Sequence, residues 1–513
     1  MKITLISPYE DIACLGLRSI SSCLKRAGHQ TQMIFLPRVE TEGIRSQGFQ
    51  YRYDERLLRQ VVALAMDSDL IGISLMTNYF DNAVQLTRKL KQELNVPVIW
   101  GGIHPTVRPE ECLDYADMVC LGEGEEAMVE LVTKLQAGQC YEDVRNVWLR
   151  INNRVVKNEL RPLLQDLDSL PYPDYDLEGH YVLYKRNEIR AMTYSLLSQY
   201  LDNTYTTMLS RGCPWQCTYC CNNAVKILYR HQKILRRRSV EHFIGELAQV
   251  KARMPFIEAV KIEDDNFFSS SLGLINDFCQ AYTQRVKLPL IITGGHPAVI
   301  TEEKMEVLVD AGLMEMRMGI QTGSNRTKKL YHRFVKNETV LRSAQVLNKF
   351  DGKICPPQYD FILDNPWGTE EDLLETLNLL LEIPKPYRLN LFSLTFFPGT
   401  ELYDKAKTEG LIRDDLNEVY RKYYFTCRRT YLNGLFFLFN SQKIPKRIMR
   451  ILLSRQIVKL EWHWLPYLIL EILFAAHMLT EGVKALFNAD FPKIYRAIKY
   501  RLALGLVRRY SSR

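Results

Sequence analysis

The chain reads as an α/β protein made of two consecutive parallel-sheet units and a mainly helical tail. Three observations carry that reading. Short apolar runs alternate with helical periodicity over residues 1–145, the alternation stops at a proline-rich phrase, and it restarts near residue 205 for six further strand–helix units. The organisation that follows is a first domain at 1–145, a linker at 146–204, a second domain at 205–425 and a tail at 426–513. A chain of 513 residues exceeds one ordinary core, and 47% hydrophobic with 25% charged residues is a globular composition.

In the first unit, strands are predicted at 3–6, 30–36, 70–76, 96–100 and 118–121, with helices at 17–27, 57–66 and 82–94. The strand runs are apolar throughout, as strands covered on both faces are, so the unit is a doubly wound, Rossmann-like sheet. Residues 1–7 read as its first strand and not as a signal peptide. Sheets of this kind bind ligands in the crevice at the carboxyl ends of their strands. Ser74 and Thr77 stand at one such end, and Gly101, Gly102 and His104 at the next. Glycine there lets backbone approach a bulky ligand; a lone histidine is more often a structural one. The phrase Gly122-Glu123-Gly124-Glu125 closes the fifth strand.

The linker opens with a hairpin, 147–151 and 154–156, turning at Asn152-Asn153. Leu170-Pro-Tyr-Pro-Asp-Tyr-Asp176 continues neither a helix nor a central strand and marks the boundary.

The second unit has predicted strands at 206–210, 259–263, 290–293, 315–318, 358–363 and 388–395, with helices at 240–253, 272–283, 301–311, 337–350 and 370–381 between them. Six such units make a partial (β/α)6 barrel, whose functional residues belong at the strand C-termini. Cys213, Cys217 and Cys220 follow the first strand as C-x3-C-x2-C. Structural zinc takes four ligands, and so does a cubane that only carries electrons. Three thiolates leave one iron open for chemistry. The alternatives are a zinc knuckle, with Cys221 as fourth ligand, or buried structural cysteines. Further polar or glycine signals end the later strands: Glu263, Asp264 and Asp265; Gly294 and Gly295; Gln321 and Ser324; Asp364. Helix and turn capping is the competing reading for these residue types. Twelve cysteines, three of them in a metal-type triad, place the chain in a reducing cytosol.

The run Arg211-Gly-Cys213-Pro-Trp-Gln-Cys217-Thr-Tyr219-Cys220 resembles the cluster loop of the radical S-adenosylmethionine (SAM) enzymes. The first unit resembles the cobalamin-binding domain that precedes many of those barrels, and together the likeness covers roughly residues 1–412. The resemblance implies a 4Fe–4S cluster on Cys213, Cys217 and Cys220 and SAM on the open iron, cleaved by an electron from a reductant such as flavodoxin or ferredoxin to a 5′-deoxyadenosyl radical. It places Tyr219 near the adenine. It gives Glu263, Asp264 and Asp265 to the SAM amino group or ribose, and uses Gly294 and Gly295 to clear room for adenosine. Gln321, in place of the family's acid, and Ser324 fall in its glycine–glutamate–serine phrase, and the segment of Asp364 packs against the adenine. Ser74, Thr77, Gly101, Gly102 and His104 fall to cobalamin. The loop 11–16 has Ala13 where many cobalamin proteins have a cobalt-ligating histidine, so the cobalamin is expected without that lower ligand. The implied reaction is methylation of an unactivated carbon by a methyltransferase of this class. A ring-forming or oxidising reaction, as in the anaerobic magnesium-protoporphyrin cyclases, is the alternative within the class. A non-catalytic cobalamin or iron–sulfur binding protein is the alternative outside it.

The net charge of +8 concentrates at the C-terminus. Residues 462–470 and 472–479 are apolar, but Pro466 and Glu471 argue against a spanning helix. Beyond them Lys493, Arg496, Lys499, Arg501, Arg508, Arg509 and Arg513 face one acid, Asp490, with Ile494, Ile498, Leu502 and Leu506 on one helical stripe. A basic amphipathic helix suits an anionic membrane surface, which points to a cytoplasmic protein peripheral on the inner face of the membrane and to a lipid-like substrate. A helical cap on the barrel is the alternative, and no module for nucleic acid is present. Flotation with anionic liposomes separates the two: on the membrane reading the full chain floats and a chain stopped at Arg455 stays in the soluble fraction, whereas equal recovery of both in that fraction leaves the cap.

Overall fold

The computed structural model describes residues 1–37, 52–152, 154–440, 442, 444–459 and 472. The first sheet has nine strands: β1 (Lys2–Ser7), β2 (Gln30–Phe35), β3 (Leu70–Ser74), β4 (Val98–Gly101), β5 (Met118–Cys120), β6 (Val147–Ile151), β7 (Arg154–Val156), β8 (His180–Tyr184) and β9 (Glu188–Ala191). Their order is β7-β6-β5-β4-β3-β1-β2-β8-β9. β1 to β5 are parallel, and the order reverses between β1 and β3, the point at which such sheets hold ligands. Each strand feeds both faces. Ile3 and Leu5 pack with Leu17, Leu24, Met128 and Leu131 on one side. Ile6, Ile71, Ile73 and Trp100 pack with Leu57, Val61, Leu86 and Leu90 on the other.

The segment read as a linker is a correction. Its hairpin pairs antiparallel on β5, β8 pairs parallel with β2, and β9 turns back on β8, so it supplies β6 to β9 of this sheet. Open edges of a parallel sheet expose unpaired backbone groups, and these strands cover both. The proline-rich phrase is tied down as well. Asp174 is buried and accepts from Ser21 (2.6 Å), Lys25 (2.8 Å) and His180 (3.3 Å). Arg18, fully buried, donates to the Asp174 carbonyl (2.6 Å) and to the carbonyls of Ile12 and Ala13 (2.9 and 3.0 Å), with its guanidinium 3.9 Å from the Tyr175 ring centre. The loop 11–16 is thereby fixed, with Ala13 buried inside it.

The second sheet is β10 (Thr204–Thr207), β13 (Ala259–Ile262), β14 (Leu290–Gly295), β15 (Leu313–Gln321), β16 (Gln358–Leu363) and β17 (Arg388–Ser393), all parallel and in sequential order; the ribbon β11 (Ser210–Arg211) with β12 (Arg236–Arg237) stands apart. Helices follow the strands as the periodicity requires, and several carry side-chain caps. Thr369 and Asp372 form a capping box on Glu370–Glu382. Sequential parallel strands with helices on one side curl into an open barrel, whose concave face stays half-exposed along Gln358, Asp360 and Ile362 while Tyr359, Phe361 and Leu363 are buried.

The helical region after the barrel begins as a cap. Helix Tyr431–Asn440 buries Leu432, Leu435, Phe436 and Phe439, and Phe436 lies 6.0 Å from Phe361. Helices Lys446–Leu452 and Arg455–Val458 continue it. The apolar and basic stretches predicted beyond residue 460 lie outside the described residues. Among those described, no helix is long and apolar enough to cross a membrane.

The Asp174 cluster generates a stability prediction. Burial pushes its carboxyl up, but His180, Lys25 and Ser21 overcome that and hold it below the ordinary 3.8. A depressed carboxylate stabilises the fold above its unfolded value, and that contribution is lost as pH falls through the folded one. Asp174→Ala, which strands Lys25 and His180, should cost about 3 kcal/mol in denaturant unfolding at pH 7, and its deficit against the native chain should shrink below pH 4.

Candidate active site

The loop from Arg211 to Cys220 leaves the end of β10 through the short ribbon. Gly212 has φ +89°, and a Cβ there would lie 2.4 Å from the Ile234 carbonyl, so only glycine lets the two sides of the ribbon close. Cys213, Cys217 and Cys220 are all free thiols; Cys217 is buried. Burial pushes the Cys213 thiol up to about 11, with Asp265, Cys220 and Cys217 acting in the same direction. Cys220 and the exposed Cys221, first residue of helix Cys221–Leu228, hydrogen-bond to each other, which raises the Cys220 thiol and lowers that of Cys221.

Two cations attend the triad. Arg333, buried, donates to Cys217 Sγ at 3.6 Å and to the Gly319 carbonyl. Lys226 donates to the Trp215 carbonyl; burial lowers its pKa, while the three cysteines and Asp265 pull it back up. Three free thiols beside one buried and one half-buried cation fit an anionic iron–sulfur cluster, because thiolate character needs such surroundings. Among the described residues no three His, Cys, Asp or Glu side chains converge as a single-ion site requires. Trp215 of the same loop stacks on His296 (centroids 3.7 Å, 11°), and burial drives that imidazole down to about 2, so it is neutral.

The loop is bolted to the first domain. Arg211 donates to Glu123 (3.1 Å) and Glu125 (2.6 Å); Arg236 donates to Glu123 (2.8 Å) and to the Leu164 carbonyl (2.8 Å); Ser19 completes Glu125 (3.0 Å). Burial would raise the Glu125 carboxyl, but Arg211 outweighs it and holds it below the ordinary range. These two carboxylates follow β5, beside a groove on the sheet face between β1, β3, β4 and β5. Leu5, Gly72, Ser74, Gly101, Gly102 and Cys120 line its sheet side, with Leu17, Ile20 and Met128 opposite. Gly72 supplies no side chain at mid-strand, and a Cβ there would sit 3.0 Å from Leu5. An apolar groove at a topological switch point fits the tail of a large cofactor.

Ser74, Gly101 and Gly102 thus line the groove, Ser74 also bonding Tyr9 at 3.1 Å. Thr77 and His104 do not. They bond each other (3.2 Å), and His104 is wholly buried between Phe80 and Tyr420, its Nε2 3.8 Å from a Glu111 carboxylate oxygen and its pKa pushed down to about 3 by burial.

The barrel residues divide likewise. Asp265 lies beside the loop, accepting from Asn222 and the Gly212 backbone. Glu263 is half-exposed and paired with Lys261. Tyr219 packs edge-on to Tyr331 at 5.1 Å. Asp264 is engaged structurally: its oxygens accept from Leu209 N, Ser210 N and Ser210 Oγ (2.7, 3.1 and 2.5 Å), and burial raises it to about 6. Gly294 and Gly295 let neighbouring strands approach, since Cβ atoms there would meet the Asp264 carbonyl at 2.1 Å and the Arg317 carbonyl at 2.8 Å. Gln321 has φ +72° at a bulge, its amide folded over Gly319. Ser324 caps helix Asn325–Leu330 and bonds Asp372 (2.5 Å). Asp364 accepts from Arg428 N (2.9 Å) and Asn433 (2.8 Å) of the C-terminal cap. Sequence reasoning missed Arg333, Lys226, the Trp215–His296 stack and the Glu123–Arg211 clamp; the Glu-x-Glu phrase and the arginine ahead of the first cysteine were the signals available.

A three-layer sheet with a groove at its switch point, joined to an open barrel with three cysteines on its first loop, defines a two-cofactor protein. The B12 binding domain family matches residues 1–132 and the radical SAM superfamily matches residues 207–380. The chain belongs to the radical SAM enzymes that carry a B12-binding domain. An uncharacterized methyltransferase of Pyrococcus horikoshii is 25% identical over 366 residues, 70% of this chain and 72% of that protein. The anaerobic magnesium-protoporphyrin IX monomethyl ester cyclase of Synechocystis sp. is 22% identical over 420 residues, 80% of this chain and 76% of that one. The cobalamin-dependent SAM radical enzyme OxsB, solved with aqua-cobalamin and SAM bound, shares the fold with a TM-score of 0.65 at 14% identity, over 98% of this chain and 83% of that one.

The clamp yields a double-mutant prediction. Glu125→Leu alone leaves the largely buried Arg211 half-paired and should cost about 3 kcal/mol. Adding Arg211→Met should recover more than about 1 kcal/mol of that loss, measured as the coupling energy in denaturant unfolding.

Proposed function

We propose that this chain methylates an unactivated carbon, using a 4Fe–4S cluster on Cys213, Cys217 and Cys220, SAM at the open iron, and cobalamin held by the groove of the first sheet. The observation that carries the reading is the clamp: the β5 end that borders the groove also grips the arginine two residues before Cys213. Chemistry at the two centres is then held at a fixed separation, which is what transfer between two cofactors requires. When bound, the cofactors supply hydrogen abstraction and the methyl group.

The chain's own residues do the rest. Arg333 and Lys226 offset the negative charge of the cysteine loop. Asp265 lies against the loop, where it suits the amino end of SAM. The Trp215–His296 stack is apolar and neutral at neutral pH, so it shields the loop from water without adding charge. The cyclase among the relatives supports a second reading within the class, a ring-forming reaction on the same frame.

Anaerobic reconstitution followed by reduction with SAM tests the proposal. The native chain should form 5′-deoxyadenosine, and Cys213→Ala, Cys217→Ala or Cys220→Ala should each reduce it to background, because two thiolates hold a cubane poorly. A variant that retains cleavage removes that cysteine from the site. With substrate, methylation yields S-adenosylhomocysteine alongside 5′-deoxyadenosine; 5′-deoxyadenosine alone favours the ring-forming reading.

A further inference from the structure

One set of groups on the barrel's concave face is used by none of the roles above. Arg317 on β15 is held by Asp360 on β16, and its Nε lies 2.7 and 2.8 Å from the two carboxylate oxygens. Asn390 on β17 donates to the same carboxylate (2.9 Å) and to Gln358 (3.0 Å), and Gln358 donates to Glu315. The network is anchored through Nε alone. Among the described residues the two terminal nitrogens of Arg317 have no hydrogen-bond partner, and the side chain is 37% exposed. A guanidinium gripped from behind presents its terminal pair as a two-pronged donor, the geometry that matches a carboxylate or phosphate.

Aromatic rings stand next to it. The Arg317 guanidinium lies 5.3 Å from the Phe392 ring centre. Phe392 is 5.3 Å from Phe425 and 6.2 Å from Tyr424, and those two rings are 4.5 Å apart. Phe425 is 50% exposed, which is unusual for a ring packed against three others. The strap that carries these rings is fixed at both sides. Ser393 N donates to the Tyr424 carbonyl (2.7 Å), while Asn78 reaches the Tyr420 and Lys422 carbonyls and Arg421 pairs with Asp81 (2.6 Å). The rings therefore bridge the open face of the barrel and the β3 end of the first sheet.

We infer that Arg317 and the Phe392–Tyr424–Phe425 wall form the substrate-recognition subsite, and that the substrate joins a planar, aromatic or conjugated body to an anionic carboxylate or phosphate. An aliphatic chain needs no exposed rings, and a neutral substrate leaves the pre-oriented guanidinium edge unused. The inference rests on the functional reading above only in naming the ligand a substrate.

Matched fluorescent probes test it on the full, cofactor-reconstituted chain. 1-Pyrenebutyrate and 1-pyrenebutanol share a planar body and differ in the carboxylate. The native chain should bind the acid at least about tenfold more tightly than the alcohol, since a charge-assisted pair is at stake. Added salt should weaken the acid alone. Arg317→Met should bring the two affinities together, and Arg317→Lys should restore part of the difference. A native chain that binds both probes equally, with no effect of salt, overturns the proposal even if the variants fail to fold. So does an Arg317→Met chain that keeps the preference but loses SAM affinity, which would assign the guanidinium to the SAM carboxylate. Native chain that makes no 5′-deoxyadenosine yet prefers the acid sinks the radical chemistry and leaves the subsite standing; a phosphate-bearing pyrene bound more tightly than the acid identifies phosphate as the anion.

Discussion

The rest of the architecture depends on four charges at one place, Glu123 and Glu125 at the end of β5 and Arg211 and Arg236 on the ribbon before and after the cysteine loop. Such a cluster is a poor source of stability, because desolvating the ions offsets most of their attraction. What it provides is register. Each guanidinium has a fixed fork, so two arginines on two carboxylates leave little freedom in how the domains meet. Steric contacts repeat the constraint. A Cβ on Gly122 would lie 1.8 Å from the Tyr229 hydroxyl, and one on Gly399 2.9 Å from Val107, so two glycines let the barrel and the first sheet approach to contact. A groove and a cysteine loop on separate, hinged domains would sample many separations; these two share one.

The cysteine loop has electrostatics of its own. Burial raises Cys213, and the hydrogen bond between Cys220 and Cys221 raises Cys220 while it lowers Cys221. Lys226 and Arg333 wait beside them as cations. Ligation by iron has to displace protons from these thiols, and assembly is therefore coupled to pH and favoured by the waiting positive charge.

Much of this frame was legible in the residues, and the part that was not has a physical reason. Apolar runs of four to six residues separated by helical periodicity locate β1, β3 and β4 because strands buried on both faces have no other composition open to them. The cysteine spacing locates the cluster loop because few other uses fit three thiols so close. Strand-end polar residues carry local roles that the sequence does not distinguish from ligand roles. Asp264 and Asp364 accept from loop backbone, Ser324 caps a helix, and Gly294 and Gly295 let strands approach, because the residue types that suit a ligand also suit the backbone turns on which such sites are built. Thr77 and His104 were assigned to the groove by their place after a strand end, but the helical turns that follow carry them to the opposite face of the sheet. The hairpin after β5 was read as a linker since its own pattern shows a local pair and says nothing of the edge it covers. The clamp joins residues 86 and 88 apart in sequence, and no local pattern reports a contact of that range.

The barrel's two faces separate what must stay constant from what is free to differ. On β16 the residues facing the helices are Tyr359, Phe361 and Leu363, all buried, and they carry the packing. The residues facing the hollow are Gln358, Asp360 and Ile362, half-exposed, and substituting them alters little of that core. Strand alternation thus assigns stability to one set of positions and recognition to the other. Since the cysteine loop, the clamp and the groove all lie outside the hollow, a change of hollow residues can change the substrate while the radical-generating frame stays intact. Relatives at 22 to 25% identity named for methyl transfer and for ring formation are what that division allows. In this chain the hollow-facing set includes an arginine pinned by an aspartate beside a wall of rings, and that is where its selectivity has to be written.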